Sequence, residues 1–129
     1  MVVDEAHVFI DEQRPIALDF MFQMAKRIRK YDGMQIVITQ NIKDFVGSPA
    51  IAKKSAAIIN ASQYSLIFSL APNDMTDLVT LYKNAGGINK SEQETIVAAP
   101  RGQCFFMYGP VSRSTIRIET SDEIRQIFE

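Results

Sequence analysis

Several residue types that define particular protein classes are scarce in this 129-residue chain. One cysteine, Cys104, and one histidine, His7, exclude an internal disulfide and a zinc site built from soft ligands. The net charge of -1 gives no basic excess that would indicate nucleic-acid binding by the chain as a whole. No apolar run approaches the roughly 18 residues typical of a membrane span, and no signal peptide precedes Asp4. The composition favours a protein of a reducing cytoplasm.

What is present is the composition of one folded domain. Hydrophobic residues make up 47% of the chain and charged residues 22%, which is close to the globular average. A chain of this length buries about two thirds of the surface that its unfolded form exposes. We therefore predict a single domain over residues 1–129, built around one core.

The order of predicted elements indicates an α/β fold. Strand and helix patterns alternate through the first two thirds, which is typical of parallel strands joined by helices. The predicted strands are 2–3, 35–39 and 63–70, and the predicted helices are 15–31, 48–60, 73–83 and a short one capped by Ser91. Residues 103–108 and 114–119 then predict an antiparallel hairpin with one wet face, followed by a helical turn that Ser121 caps.

Two adjacent carboxylates, Asp4 and Glu5, follow the first strand. Magnesium-dependent phosphoryl transfer uses one carboxylate to hold the metal and another to orient or deprotonate the attacking water, both from a rigid strand end. The plain alternative is an acidic loop after a strand. The letters of residues 4–7 also spell a helicase box, but the Ser-Ala-Thr element which that reading requires is missing from the end of the next strand.

The next strand ends in Thr39 and Gln40. A glutamine side chain both donates and accepts hydrogen bonds, so Gln40 could contact phosphate oxygens or an attacking water; it could equally be an ordinary turn residue. Because parallel strands present their carboxyl ends at one edge of a sheet, we expect Asp4, Glu5 and Gln40 to lie on the same rim.

Arginines flank the apolar arc of the helix between these strands. At 100 degrees per residue, Arg27 falls beside Ile16 and Phe20, and Arg29 falls between Leu18 and Phe22. An arginine held in this way could reach a neighbour's nucleotide and neutralise charge in the transition state. Alternatively, these side chains lie along the core margin or pair with nearby aspartates.

Four segments together resemble one family. Residues 1–7 (MVVDEAH), 26–33 (KRIRKYDG), 39–45 (TQNIKDF) and 102–106 (GQCFF) look like successive motifs of the VirB-four-type ATPases of conjugation and type IV secretion, which belong to the RecA-like superfamily. The match runs in family order from the first residue to the hairpin.

The resemblance implies a role for each matching residue. It makes Asp4 the metal residue, Glu5 the catalytic glutamate, Gln40 the sensor that contacts nucleotide, and Arg27 or Arg29 the arginine acting on a neighbouring subunit. It implies ATP and Mg²⁺ as cofactors of the full-length protein. The implied fold is part of a RecA-like three-layer sandwich, with a mostly parallel sheet and a C-terminal antiparallel hairpin.

The chain departs from the family in lacking a glycine-rich phosphate loop. The nearest string, 84–91 (NAGGINKS), has asparagine where such a loop needs glycine, and it follows a helix. We therefore expect a C-terminal piece of an ATPase that binds no nucleotide tightly by itself. The absent strand would lie between strands 35–39 and 63–70, so we expect self-association or a distorted sheet.

The predicted function is that of an ATPase fragment whose parent energises conjugative transfer or type IV secretion. The resemblance implies a homo-oligomer, a hexamer, that works with channel subunits at the inner face of the bacterial membrane, with DNA as a possible cargo. The rivals are a DNA-translocating ATPase of the FtsK or HerA type and a non-catalytic ATPase-like scaffold.

Overall fold

The computed structural model of the protein describes residues 2–6, 16–109, 112–119 and 121–128, and for Arg29, Arg125 and Phe128 the backbone alone. His7 of the first motif, Pro15 of the predicted first helix and Pro110 of the predicted hairpin turn lie outside the described residues.

The described elements alternate as the sequence predicts through its first two thirds. The strands are β1 (Val2–Val3), β2 (Ile36–Val37), β3 (Tyr64–Ile67), β4 (Gln103–Tyr108) and β5 (Arg113–Arg117). The α-helices are α1 (Ile16–Arg27), α2 (Pro49–Ala61), α3 (Pro72–Tyr82), α4 (Lys90–Ala98) and α5 (Asp122–Phe128), with 3₁₀ helices at Ile28–Tyr31 and Ile42–Val46.

The N-terminal strands β1 and β2 form a parallel pair. Val2 lies opposite Ile36 and Val3 opposite Val37. The pairing continues past the strand ends, because the Ile38 N–H donates to the Val3 carbonyl at 2.8 Å. This pair fixes the two chain segments that carry the candidate site.

The remaining strands form a separate antiparallel sheet in the order β3-β4-β5. The predicted hairpin is confirmed, with Gln103 opposite Arg117 and Met107 opposite Arg113. Among the described strands the parallel arrangement is confined to β1 and β2, and no strand links β2 to β3. The expectation from the family resemblance that a strand is missing between β2 and β3 stays a prediction.

The core lies between the strands and the helices α1 to α4. Its members are apolar side chains that are at most 9% exposed, among them Leu18, Met21, Ile51, Ile58, Ile67, Met75, Leu78, Ile96, Phe105 and Met107. Burial of a large aliphatic or aromatic side chain contributes on the order of 2 kcal/mol. The two sheets are therefore held in one unit by helix packing.

The start of α2 follows its local sequence. Ser48 is the N-cap, its hydroxyl accepts the Ile51 N–H at 3.3 Å, and Pro49 occupies the first turn, where its missing N–H leaves no bond unmade. The Lys54 ammonium pairs with Asp19 and joins α2 to α1.

The start of α4 differs from the prediction. Asn89, not Ser91, is the N-cap, and Asn89 and Glu92 form the capping box. The Asn89 side chain accepts the Glu92 N–H at 2.8 Å, and the Glu92 carboxylate accepts the Asn89 N–H at 2.9 Å. The same carboxylate receives the Arg113 guanidinium from β5 at 2.5 Å, and this tertiary contact favours Glu92 as the partner.

Candidate functional site

The carboxylates of Asp4 and Glu5 leave the sheet where β1 ends. Both residues are exposed, whereas Ala6 directly after them is fully buried and donates its N–H to the Ile38 carbonyl at 2.9 Å. The chain is therefore held on both sides of the acidic pair. A rigid support of this kind keeps a catalytic group in a defined position.

The backbone of the acidic pair is bent. Glu5 has φ of 52°, a left-handed conformation that L-residues with a Cβ rarely adopt. One Asp4 carboxylate oxygen, Oδ1, accepts the Glu5 N–H at 2.8 Å and supports the bend. Such a conformation costs on the order of 1 kcal/mol and is frequently found at functional sites.

The end of β2 brings Gln40 to the same place. Its side-chain Nε2 donates to the Glu5 carboxylate, at 3.2 Å from Oε1 and 3.4 Å from Oε2. The predicted proximity of the acidic pair and Gln40 is therefore observed between residues that are 35 positions apart in sequence. The site consists of Asp4, Glu5 and Gln40 at the carboxyl ends of adjacent parallel strands.

Of the two candidate arginines, the structure describes the side chain of Arg27 alone. Arg27 is exposed in the last turn of α1, on a face that it shares with Ile16 and Phe20, which are 79% and 54% exposed. The buried side of α1 is centred instead on Leu18 and Met21. Within the described residues no carboxylate forms an ion pair with Arg27.

Arg29 belongs to the 3₁₀ helix that continues α1, and its side chain lies outside the description. Its predicted role stays a prediction, as does that of Arg27.

The acidic pair is compatible with magnesium in a site that is shared with substrate phosphates. Within residues 2–6, 16–109, 112–119 and 121–128, no group of three or more His, Cys, Asp or Glu side chains could hold a metal ion. Magnesium is usually held by one or two carboxylates together with substrate phosphates and water. An exposed Asp4 at the strand end fits such a shared site.

Comparison with protein-family models gives a match over most of the chain. The family model described as the TraG P-loop domain matches residues 1–101.

The chain belongs to the TraG P-loop domain family.

A solved structure, that of VirB4 of Thermoanaerobacter pseudethanolicus, is 34% identical to this member of the family and superimposes with a TM-score of 0.83. The match covers 97% of this chain and 32% of that chain, so the 129 residues span about a third of the VirB4 structure. Comparison with curated proteins gives no match. The predicted RecA-like α/β fold and the predicted relationship to VirB4-type proteins are confirmed.

The glycine pair of this TraG-family chain lies in the loop between α3 and α4. Gly86 and Gly87 adopt positive φ, and the Gly86 carbonyl accepts from Arg113 at 2.5 Å. The N-terminus of α4 that follows is closed by the Asn89–Glu92 capping box. The expectation that this loop is not a phosphate loop stays a prediction.

One contact beside the site is not apparent from composition or spacing. The Thr39 hydroxyl accepts the Asn41 N–H at 3.1 Å and closes a short turn around Gln40. Threonine side chains form such turns where the backbone N–H two residues on is not used by a strand or helix, and the sequence alone does not show where that is so.

Gln103 lies beyond residues 1–101, which the family model matches. It is half-buried at the start of β4, where its N–H donates to the Pro100 carbonyl at 3.1 Å. Along the described part of the chain, no helix combines the length and hydropathy that crossing a bilayer requires.

Proposed function

We propose that this chain supplies the catalytic acidic pair and the sensing amide of an ATPase that energises conjugative transfer or type IV secretion. The observation that carries the proposal is the contact of the Gln40 amide with the Glu5 carboxylate, at 3.2 Å, across the ends of β1 and β2. A general base and a group that can donate to phosphate thereby lie on one rim, beside a carboxylate suited to magnesium.

Glu5 is the general base. Its carboxylate is exposed at the rim, so an incoming water can reach it, and accepting a proton from that water makes the oxygen a better nucleophile toward phosphorus.

Gln40 couples the base to the nucleotide. Its amide has donors for phosphate oxygens and a carbonyl oxygen that can accept from the attacking water. Because the same amide also contacts Glu5, a shift of Gln40 toward a bound phosphate would change its hydrogen bond to the base.

Asp4 would hold Mg²⁺ together with the phosphates of ATP. The ion, when bound, neutralises charge on the phosphate oxygens. One oxygen of Asp4 is engaged by the Glu5 N–H, and the carboxylate retains acceptor capacity for a metal or for its water ligands.

Other parts of the machinery lie outside this site. The 129 residues contain no glycine-rich phosphate loop, so ATP is gripped largely by other sequence and the isolated chain turns over no ATP. Arg27 or Arg29, at the end of α1, acts on the nucleotide of a neighbouring subunit in a homo-oligomer, a hexamer. Channel subunits at the cytoplasmic face of the bacterial membrane are the partners.

A chimera tests the proposal. The part of the VirB4 protein that matches this chain is replaced by the 129 residues, and ATP hydrolysis and ATP binding are measured. We expect turnover by the chimera and a loss on the order of a hundredfold or more in kcat for Glu5→Gln, with ATP binding retained. Asp4→Asn should weaken the magnesium dependence of binding.

The matched control is Glu94→Gln, which removes a charge of the same kind from the exposed face of α4 and should leave kcat unchanged. A folded chimera that binds ATP and hydrolyses it equally well with and without the Glu5 carboxylate would refute the catalytic role. A folded chimera that neither binds nor hydrolyses ATP, beside an active parent, would favour a non-catalytic scaffold.

A further inference from the structure

The chain between Ile38 and Ile42 is a short bridge between two fixed points. At one end Ile38 donates its N–H to the Val3 carbonyl of β1, and its carbonyl accepts the N–H of Ala6, which follows β1. At the other end the 3₁₀ helix Ile42–Val46 is anchored by buried Ile42 and Phe45. Thr39, Gln40 and Asn41 span the gap, so the direction of the Gln40 side chain depends on how this bridge is folded.

The Thr39 side chain folds the bridge. Its hydroxyl oxygen accepts the Asn41 N–H at 3.1 Å, and Gln40 lies between the acceptor and the donor. Thr39 is half-buried, whereas Gln40 is exposed. A hydrogen bond that brackets one residue restricts the backbone dihedrals on either side of it and thereby sets the direction of its Cα–Cβ bond.

Without such a constraint Gln40 would have little to hold it. An exposed glutamine has several rotatable bonds, and fixing them costs conformational entropy on the order of 1 kcal/mol or more. Its amide nevertheless meets both oxygens of Glu5, at 3.2 and 3.4 Å. A turn that fixes the direction of the Gln40 side chain leaves it fewer conformations, so less conformational entropy is lost when its amide binds Glu5.

We propose that Thr39 is a positioning residue that directs the Gln40 amide onto Glu5 through its hydrogen bond to Asn41. The inference rests on the proposed function for its catalytic consequence, but its structural content belongs to the 129-residue chain itself. Thr39 touches neither the nucleotide nor the reacting atoms in this scheme.

The structural content is tested by NMR on the 129-residue chain. In Thr39→Val, which keeps the shape and removes the acceptor, Asn41 amide exchange should become about three- to tenfold faster. The Gln40 side-chain amide resonances should move toward those of Glu5→Ala, in which the acceptor carboxylate is gone. Thr39→Ser, which restores the hydroxyl, should return both signals.

The matched control is Thr80→Val. The Thr80 hydroxyl donates to the Thr76 carbonyl at 3.0 Å on the exposed side of α3, so the same chemical change is made outside the bridge. It should leave the signals of Gln40 and Asn41 unchanged. If Thr39→Val fails to give a dispersed spectrum, Thr39→Ala supplies the same comparison without the branched side chain.

The chimera with VirB4 tests the catalytic consequence. Thr39→Val should lower kcat about three- to tenfold with KM unchanged within twofold, and Thr39→Ser should restore kcat. Gln40 and Asn41 signals that are identical in wild type and Thr39→Val would overturn the positioning role. If Thr39→Val alters these signals but the chimera shows no Glu5-dependent turnover, the positioning role is supported and the proposed function is refuted. The two failures are therefore distinguishable.

Discussion

Removal of the Arg113 guanidinium should destabilise the chain more than removal of any exposed cation. Its Nη1 meets the Glu92 carboxylate and its Nη2 the Gly86 carbonyl, each at 2.5 Å. The side chains of Arg113 and Glu92 are only 16% and 15% exposed. The pair therefore connects β5 to the start of α4 and to the glycine loop in a largely dry environment.

The magnitude follows from what Arg113→Met leaves behind. Breaking a fully buried ion pair costs about 3–5 kcal/mol, chiefly because the remaining charge is unpaired. Here Glu92 retains the Asn89 N–H, and some water reaches the pair. We therefore expect a loss of about 2–3 kcal/mol in the free energy of unfolding, which is roughly a 1.5 M decrease in the urea midpoint.

Urea unfolding followed by circular dichroism measures this loss. The control is Arg117→Met, because Arg117 and Glu119 are 3.9 Å apart and both are 73% exposed. Such a pair should change stability by less than about 0.5 kcal/mol. A double-mutant cycle of Arg113→Met with Glu92→Gln should give a coupling energy of about 1–2 kcal/mol. Equal losses for Arg113→Met and Arg117→Met, or no coupling, would refute the reasoning.

Two further predictions concern buried hydroxyls. Ser55 is 1% exposed, and its Oγ has no hydrogen-bond partner among the described residues, so Ser55→Ala should raise stability by up to about 1 kcal/mol. Ser62→Ala, which removes a 2.8 Å bond to a backbone carbonyl, should not raise stability. Thermal unfolding of both variants tests this, and a loss of stability in Ser55→Ala would contradict the assignment. Burial raises the pKa of Tyr82 above its ordinary value, with its hydrogen bond to Ser65 acting in the opposite direction. As pH rises, the unfolded chain therefore loses the Tyr82 proton before the folded chain does, and the free energy of unfolding should fall above about pH 10. Tyr82→Phe should reduce this fall, whereas Tyr31→Phe, at an 80% exposed position, should not. Equal pH profiles of stability for the two variants would exclude the linkage.

Elements with local signals could be predicted closely from the sequence. The Ser48–Pro49 start of α2 and the bounds of β4 at Gln103–Tyr108 are as expected. Both depend on neighbours in the chain: a cap before a proline, and an apolar run ended by a glycine.

Other features depend on contacts that local sequence does not contain. Asn89 and Ser91 are equally good caps by spacing, and Arg113 from a distant strand stabilises the box that uses Asn89. Periodicity predicts the width of the apolar arc of α1 but not which part of the arc packs against the core. The exposure of Phe20 could therefore be seen only in the structure. The predicted strand at 35–39 is observed as Ile36–Val37 because β1 offers only a short partner.

The candidate site divides in the same way. The rule that parallel strands end at one edge sufficed to bring Glu5 and Gln40 together in the prediction. The left-handed backbone of Glu5 and the turn closed by Thr39 depend on which backbone donors remain free once the strands have paired, and that is settled only by the fold.

The most direct test of the site is the position of the metal. Crystals of the VirB4 chimera grown with Mn²⁺ and a non-hydrolysable ATP analogue give an anomalous signal at the ion. We predict a peak about 2 Å from an Asp4 carboxylate oxygen if the ion is bound directly, or about 4 Å if it is bound through water, with the terminal phosphate facing Gln40. A nucleotide-bound ion remote from Asp4, with Glu5 and Gln40 turned away from the phosphates, would contradict the account.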